Sequence, residues 1–217
     1  MASLIAFFFK TGLRSRRTFW LTLVNGVPVL CGVLLFLLKG LIARDGVTLE
    51  SLFPQISFYL YLHFLLPLMA VFVGSALIAD EVDERTLPYL LTCPVPRTHI
   101  LLSKALASIL TLSLLMFISL GLCYSIMMLP AGLSGWLSNI PGLLQSAGVM
   151  LLGLIVYIPL FGLFGGILKK PVLVGLLFTF GWENTVAFFP GNVKLLTIVY
   201  YLHRLYPFQF RLRSFRL

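Results

Sequence analysis

Five long apolar runs, at residues 18–38, 57–79, 100–129, 141–168 and 172–189, dominate the chain. Each is near or above the roughly 18 residues a helix needs to cross a bilayer. Backbone groups in lipid must find partners within their own segment, so runs of this length specify helices. The expected fold is therefore all-α: one polytopic membrane domain over residues 1–217 with five spans. Composition agrees, since 59% of the 217 residues are hydrophobic and 11% are charged, against about 25% charged in soluble domains. A soluble enzyme is excluded.

Residues 1–17 are too short and too charged to span. Wound as a helix, they put Lys10, Arg14 and Arg17 on one face, with Leu4, Ile5, Phe8 and Phe9 elsewhere, which suits an interfacial anchor. A signal peptide is the competing reading. The run at 18–38 exceeds the usual h-region of about 7–15 residues, and no small-x-small cleavage pattern follows. Pro28, Pro67 and Pro159 fall inside runs, where each removes a backbone donor and a bend is expected.

Basic residues set the orientation. With the amino end inside, the cytoplasmic side receives Lys10, Arg14, Arg16, Arg17, Arg85, Arg97, Lys104, Lys169 and Lys170, and the first two outer loops only Lys39 and Arg44. That asymmetry makes the amino end cytoplasmic in an integral membrane protein. The stretch 190–217 then lies outside or at the interface with Lys194, Arg204, Arg211, Arg213 and Arg216. The net charge of +9 points to anionic lipid headgroups rather than to nucleic acid. Cys31, Cys93 and Cys123 are odd in number and far apart, so they indicate neither a disulfide framework nor a zinc site.

Ionisable groups within apolar runs mark pathways or gates by default. His63 in the second run and Glu183 near the outer end of the fifth are the candidates. His63 reads either as a pathway group or as a neutral histidine bonded to a neighbouring helix. Glu183, beside Trp182 and Asn184, reads either as a gate or cation-binding carboxylate or as the tip of a broken, re-entrant segment. Asn25, Ser75 beside Gly74, and the Gly162, Gly165-Gly166 cluster suit close helix packing.

The segment 80–99 joins the second and third runs on the cytoplasmic side and holds four of the seven acids, Asp80, Glu81, Asp83 and Glu84. Thr86 can cap a short helix with Pro88 in its first turn, and Pro94 with Pro96 ends it. Leu87, Leu90 and Leu91 then form an apolar stripe flanked by charge, as a docking element for a soluble partner needs. A solvated charged loop is the bland alternative for any single charge. Divalent metal binding by the acids would need further oxygen donors and a glycine turn, which are not evident; no metal is expected.

This segment resembles the permease subunits of ATP-binding-cassette transporters of the type-2 (ABC-2) class. The likeness rests on Glu81 or Glu84, Thr86-Leu87, Leu90-Leu91, Pro94-Val95-Pro96-Arg97 and Lys104, with Arg85 and Pro96 standing where the family commonly has Gly and Ser. Trp182-Glu183, Phe189-Pro190-Gly191 and Tyr200-Tyr201-Leu202 resemble the outer segment between the family's fifth and sixth spans. The resemblance implies a permease, in the exporter mould, of the bacterial plasma membrane. It further implies a second permease copy and two ATPase subunits as partners. Residues 80–99 would be the coupling helix, with Glu81, Glu84 and Arg97 as ionic contacts and Leu87, Leu90 and Leu91 as packed ones. ATP and magnesium would reside on the partner, because this chain has no G-x-x-x-x-G-K-[ST] loop and no catalytic set. Two rivals remain: a secondary transporter or channel using His63 and Glu183, and a non-transporting membrane scaffold or a membrane enzyme whose active site matches no known motif.

Overall fold

The computed structural model of the chain describes residues 2–13, 16–42, 49–83, 97–183 and 197–206. Every regular element among them is a helix. An amino-terminal helix α1 (Ala2–Leu13) precedes α2 (Arg16–Leu37) and a single turn at Lys39–Ile42. The long third helix, α3, joins Leu49–Ile56, a π-helical stretch Ser57–Leu65 and Leu66–Asp83. Then come α4 (Arg97–Met128), the short α5 (Gly132–Ser138) and α6 (Ile140–Ile167). Helix α7 runs from Pro171 to Leu176 and continues as a π-helix, Leu177–Glu183; α8 is Ile198–Leu205.

Four of these helices are long and apolar enough to cross a membrane: Arg17–Leu37, Ser51–Ile78, His99–Ser138 and Ile140–Ile167. The all-α bundle read from the apolar runs is thus present. The second run starts earlier in the structure than its hydropathy suggests, at Leu49. The fifth is described only to Glu183, and residues 184–189 of the expected span lie outside the described residues.

Local sequence explains the irregularities. The amide of Leu66 reaches back five residues to the Tyr61 carbonyl, which widens the turn immediately before Pro67. A proline ring has no N–H and collides with the carbonyl four residues earlier, so the wider turn accommodates it. Pro28 and Pro159 are carried inside α2 and α6. Between α4 and α6, Leu129–Ala131 forms one 3₁₀ turn and Gly132 takes φ 72°, a conformation open to glycine without a Cβ clash.

The core is a seam between α3 and α6, the most extensive helix pair in the structure. Small residues let the two backbones meet. A Cβ built on Gly74 would lie 2.8 Å from both the Ile158 carbonyl oxygen and Phe161 Cβ, and one on Gly165 would press into the Ser75 carbonyl. Lipid offers helices no hydrophobic driving force to associate, so such close approach, with its dispersion contacts, is what holds them together. Ser75 spends its hydroxyl on its own helix, donating to the Val71 carbonyl at 2.6 Å, so it too serves packing.

Helices α1 and α2 pack on α4, and a buried polar chain ties α2, α3 and α4. Ser119 Oγ donates to the Asn25 carbonyl at 2.6 Å, and Tyr61 Oη lies 2.8 Å from Ser119 Oγ. With the serine proton committed to Asn25, the phenol must be the donor to Ser119. Replacing Ser119 by alanine leaves the buried tyrosine hydroxyl only the weak sulfur acceptor of Cys123. Ser119→Ala is expected to lower stability by about 1 kcal/mol, and Tyr61→Phe added to it should cost almost nothing more. Thermal unfolding of the two single variants and the double variant checks this; additive losses would refute the chain.

Candidate functional site

Two regions carry the chemistry that the sequence singles out. At one end of the bundle, α3 runs to Asp83 and α4 starts at Arg97. Glu84, Thr86, Leu87, Leu90 and Leu91 fall outside the described residues, and so do the side chains of Glu81 and Arg97. What is described is the frame beneath the connection. Lys104 Nζ donates to the Leu77 carbonyl at 2.9 Å, clamping the start of α4 to the last turns of α3. Beside this clamp lies a cavity of about 510 Å³, lined by residues of α1, α2, α3 and α4 that include Phe8, Arg17, Leu21, Leu77, Lys104 and Ser108. Thr18 closes α1 onto α2 by donating to the Gly12 carbonyl. The amino-terminal helix is therefore built into the same end of the bundle from which the 84–96 connection leaves.

Glu183 and His63 mark the second region, and the structure does not bring them together. Glu183, at the end of the π-helical stretch after α7, is 1% exposed. Its Oε2 accepts a hydrogen bond from the Tyr157 hydroxyl of α6. The amide of Ile198, the first residue of α8, also interacts with the carboxyl, whereas Oε1 closes no hydrogen bond of normal geometry. Thr179, one turn earlier, is buried with its hydroxyl unpartnered.

His63 belongs to an aromatic cluster at the other end of α8. Its ring centroid is 4.9 Å from that of Phe58, and the ring of His203 approaches the same phenylalanine at 4.8 Å. His63 Nδ1 is buried without a hydrogen-bond partner. Tyr206 stands 5.4 Å from Phe58, and its hydroxyl shares a hydrogen bond with Ser57. Gln145 of α6 donates to the Leu205 carbonyl at 3.3 Å. What relates Glu183 to His63 is α8: one sits at its amino end, and the other packs near its carboxyl end.

Tyr157 and Thr179 escape a reading of the sequence because a tyrosine or threonine in an apolar run is usually a packing residue. The one available signal is that Tyr157 puts a polar tip two residues before Pro159 in an otherwise apolar run. Among the described residues, no group of three or more His, Cys, Asp or Glu side chains is placed to hold a metal ion.

Long apolar helices packed through a glycine-lined seam define a polytopic integral membrane protein. The family model described as ABC-2 family transporter protein matches residues 11–182. The chain belongs to that family, whose members are the membrane component rather than the ATPase. No curated protein and no solved structure matches the chain.

Proposed function

We propose that the chain is the permease subunit of an ATP-binding-cassette exporter, which couples ATP hydrolysis on a separate subunit to substrate movement. Membership of the ABC-2 family across residues 11–182 carries this reading. Two permease copies assemble with two ATPase subunits, which hold the ATP and magnesium. The amino end is cytoplasmic, as the basic residues argue, and the membrane is the bacterial plasma membrane. Residues 80–99 act as the coupling helix. Leu87, Leu90 and Leu91 fill an apolar groove of the ATPase, while Glu81, Glu84 and Arg97 set register at its rim.

When the ATPase pair closes on nucleotide, the coupling helix moves with it. The clamp from Lys104 to Leu77 transmits that push to α3 and α4 together, and α3 carries α6 across the glycine seam. His63 and Glu183 then lie along the outer part of the path that must open and close, with Glu183 at its inner limit. A secondary transporter or channel would use the same two residues without an ATPase, but family membership weighs against it.

The test is purification of the full chain from native membranes by a tag on one terminus. An ATPase with a phosphate-binding loop should co-purify in a fixed ratio, and the complex should hydrolyse ATP. A chain that purifies alone, or transport driven by an ion gradient in ATP-free vesicles, would overturn the reading.

A further inference from the structure

Helices α7 and α8 lie end to end in the groove between α3 and α6. Gly175 of α7 faces Val71 and Phe161, Glu183 reaches Tyr157, Leu202 of α8 meets Gly153 beside Leu66, and Leu205 receives Gln145. The partners on α6 thus run 161, 157, 153, 145 while the partners on α7 and α8 run 175, 183, 202, 205. Tyr157 stands ten residues before Ile167, the end of α6, which is roughly 15 Å at 1.5 Å per residue. That is half of a hydrocarbon core of about 30 Å, so the junction of the two helices is at mid-membrane.

At this junction sits the only acid of the chain beyond Glu84. Glu183 is 1% exposed and Thr179 2% exposed, and each has an oxygen without a partner. Tyr157 and the Ile198 amide donate to the carboxyl, and no cation pairs with it among the described residues. An ionised carboxylate in such a place requires compensation that two donors do not supply.

We propose that Glu183 is a proton-binding site at the break of a discontinuous fifth crossing, carrying a proton on Oε1 while α8 is docked and losing it to water when α8 swings out. The exchange is a simple acid–base step: the O–H bond of the carboxyl breaks, water takes the proton, and the carboxylate keeps the electron pair. Building on the permease reading, it makes the outer opening proton-linked. The docked state binds one proton more than the open one, so rising pH favours opening, by at most about tenfold per pH unit. Among the described residues, the other ionisable groups at Glu183 or α8 are Tyr157 from α6 and His63 from α3, with Tyr200, Tyr201, His203, Arg204 and Tyr206 on α8 itself. Charging the two histidines also loosens α8, but from the acid side, so a range from about pH 7 to 9 isolates the carboxyl.

The experiment uses the full chain in lipid nanodiscs with Cys31, Cys93 and Cys123 replaced by serine. Leu202→Cys is buried and Tyr201→Cys, on the same helix, is exposed; the ratio of their maleimide labelling rates cancels the intrinsic pH dependence of the thiol. The ratio should rise about twofold or more from pH 7 to 9 and stay flat when Glu183→Gln is added. A flat ratio in the parent, or the same rise with Glu183→Gln, overturns the site. Infrared spectroscopy of the unaltered chain gives a second measure. A neutral-carboxyl C=O band should be present at pH 7 and absent from the Glu183→Gln variant. No such band, or one appearing only when sodium and potassium are withdrawn, refutes the proton as occupant. A chain that keeps the band and the labelling yet binds no ATPase keeps the proton site and loses the permease reading; an ATPase-bound chain with flat labelling does the reverse.

Discussion

Replacing Leu87, Leu90 and Leu91 together by aspartate is expected to remove the ATPase from the purified complex and to abolish ATP-dependent transport. Burying a leucine side chain contributes about 1.5–3 kcal/mol, so loss of the three together removes at least about 4 kcal/mol, or roughly a thousandfold in affinity. Three carboxylates facing an apolar groove add a desolvation penalty on top. Neutralising the rim charges Glu81, Glu84 and Arg97 one at a time should do far less, about 0–1 kcal/mol each and dependent on salt. The contrast between stripe and rim is the signature of docking through a helix face. Quantitative co-purification with the ATPase, against the yield and melting temperature of the permease alone, is the measurement. Full ATP-dependent transport in the triple variant would show that this segment does not dock.

Hydropathy made the scaffold legible because the bilayer reduces folding to a choice of helices. The starts and stops of α2, α4 and α6 lie close to the ends of the apolar runs. Periodicity carries less information about partners. Most of the seam residues are apolar or small like everything around them, so nothing in the sequence says that Gly74 meets Ile158 rather than lipid. The π-helical turn before Pro67 was foreshadowed only as a bend, since proline marks where the backbone must adjust but not how.

The candidate residues divide in the same way. Glu183 stands out because it is a lone acid in an apolar run, but nothing in the sequence says that it is buried against Tyr157. His63 stands out equally, but it packs on Phe58, a neighbour in sequence, which in turn meets His203, a residue 140 positions from His63. Only the fold relates them. Thr179 gives no signal and Tyr157 only its place before Pro159, because hydroxyls in membrane helices commonly bond their own backbone, as Thr111 and Ser146 do here.

The second large effect lies in the glycine seam. Gly74→Val and Gly165→Val are each expected to prevent α3 and α6 from closing, with a loss of about 1–3 kcal/mol or more and a sharp fall in folded yield. The new Cβ on Gly165 would meet the backbone of Ser75, and that on Gly74 the backbone and Cβ of residues 158 and 161. Backbone cannot turn aside as a flexible side chain can, so the whole pair must separate and surrender dispersion contacts along its length. Gly121→Ala and Gly148→Ala supply the control, for nothing lies within 4 Å of a Cβ at either position; alanine there should be neutral or slightly stabilising. The two seam variants share one interface, so the double variant should lose less than the sum of the singles once the first has opened it. Melting temperatures in detergent decide the matter. Seam variants that unfold with the controls would mean that α3 and α6 do not meet at these glycines, and the path from the Lys104 clamp to α7 and α8 would have to run elsewhere.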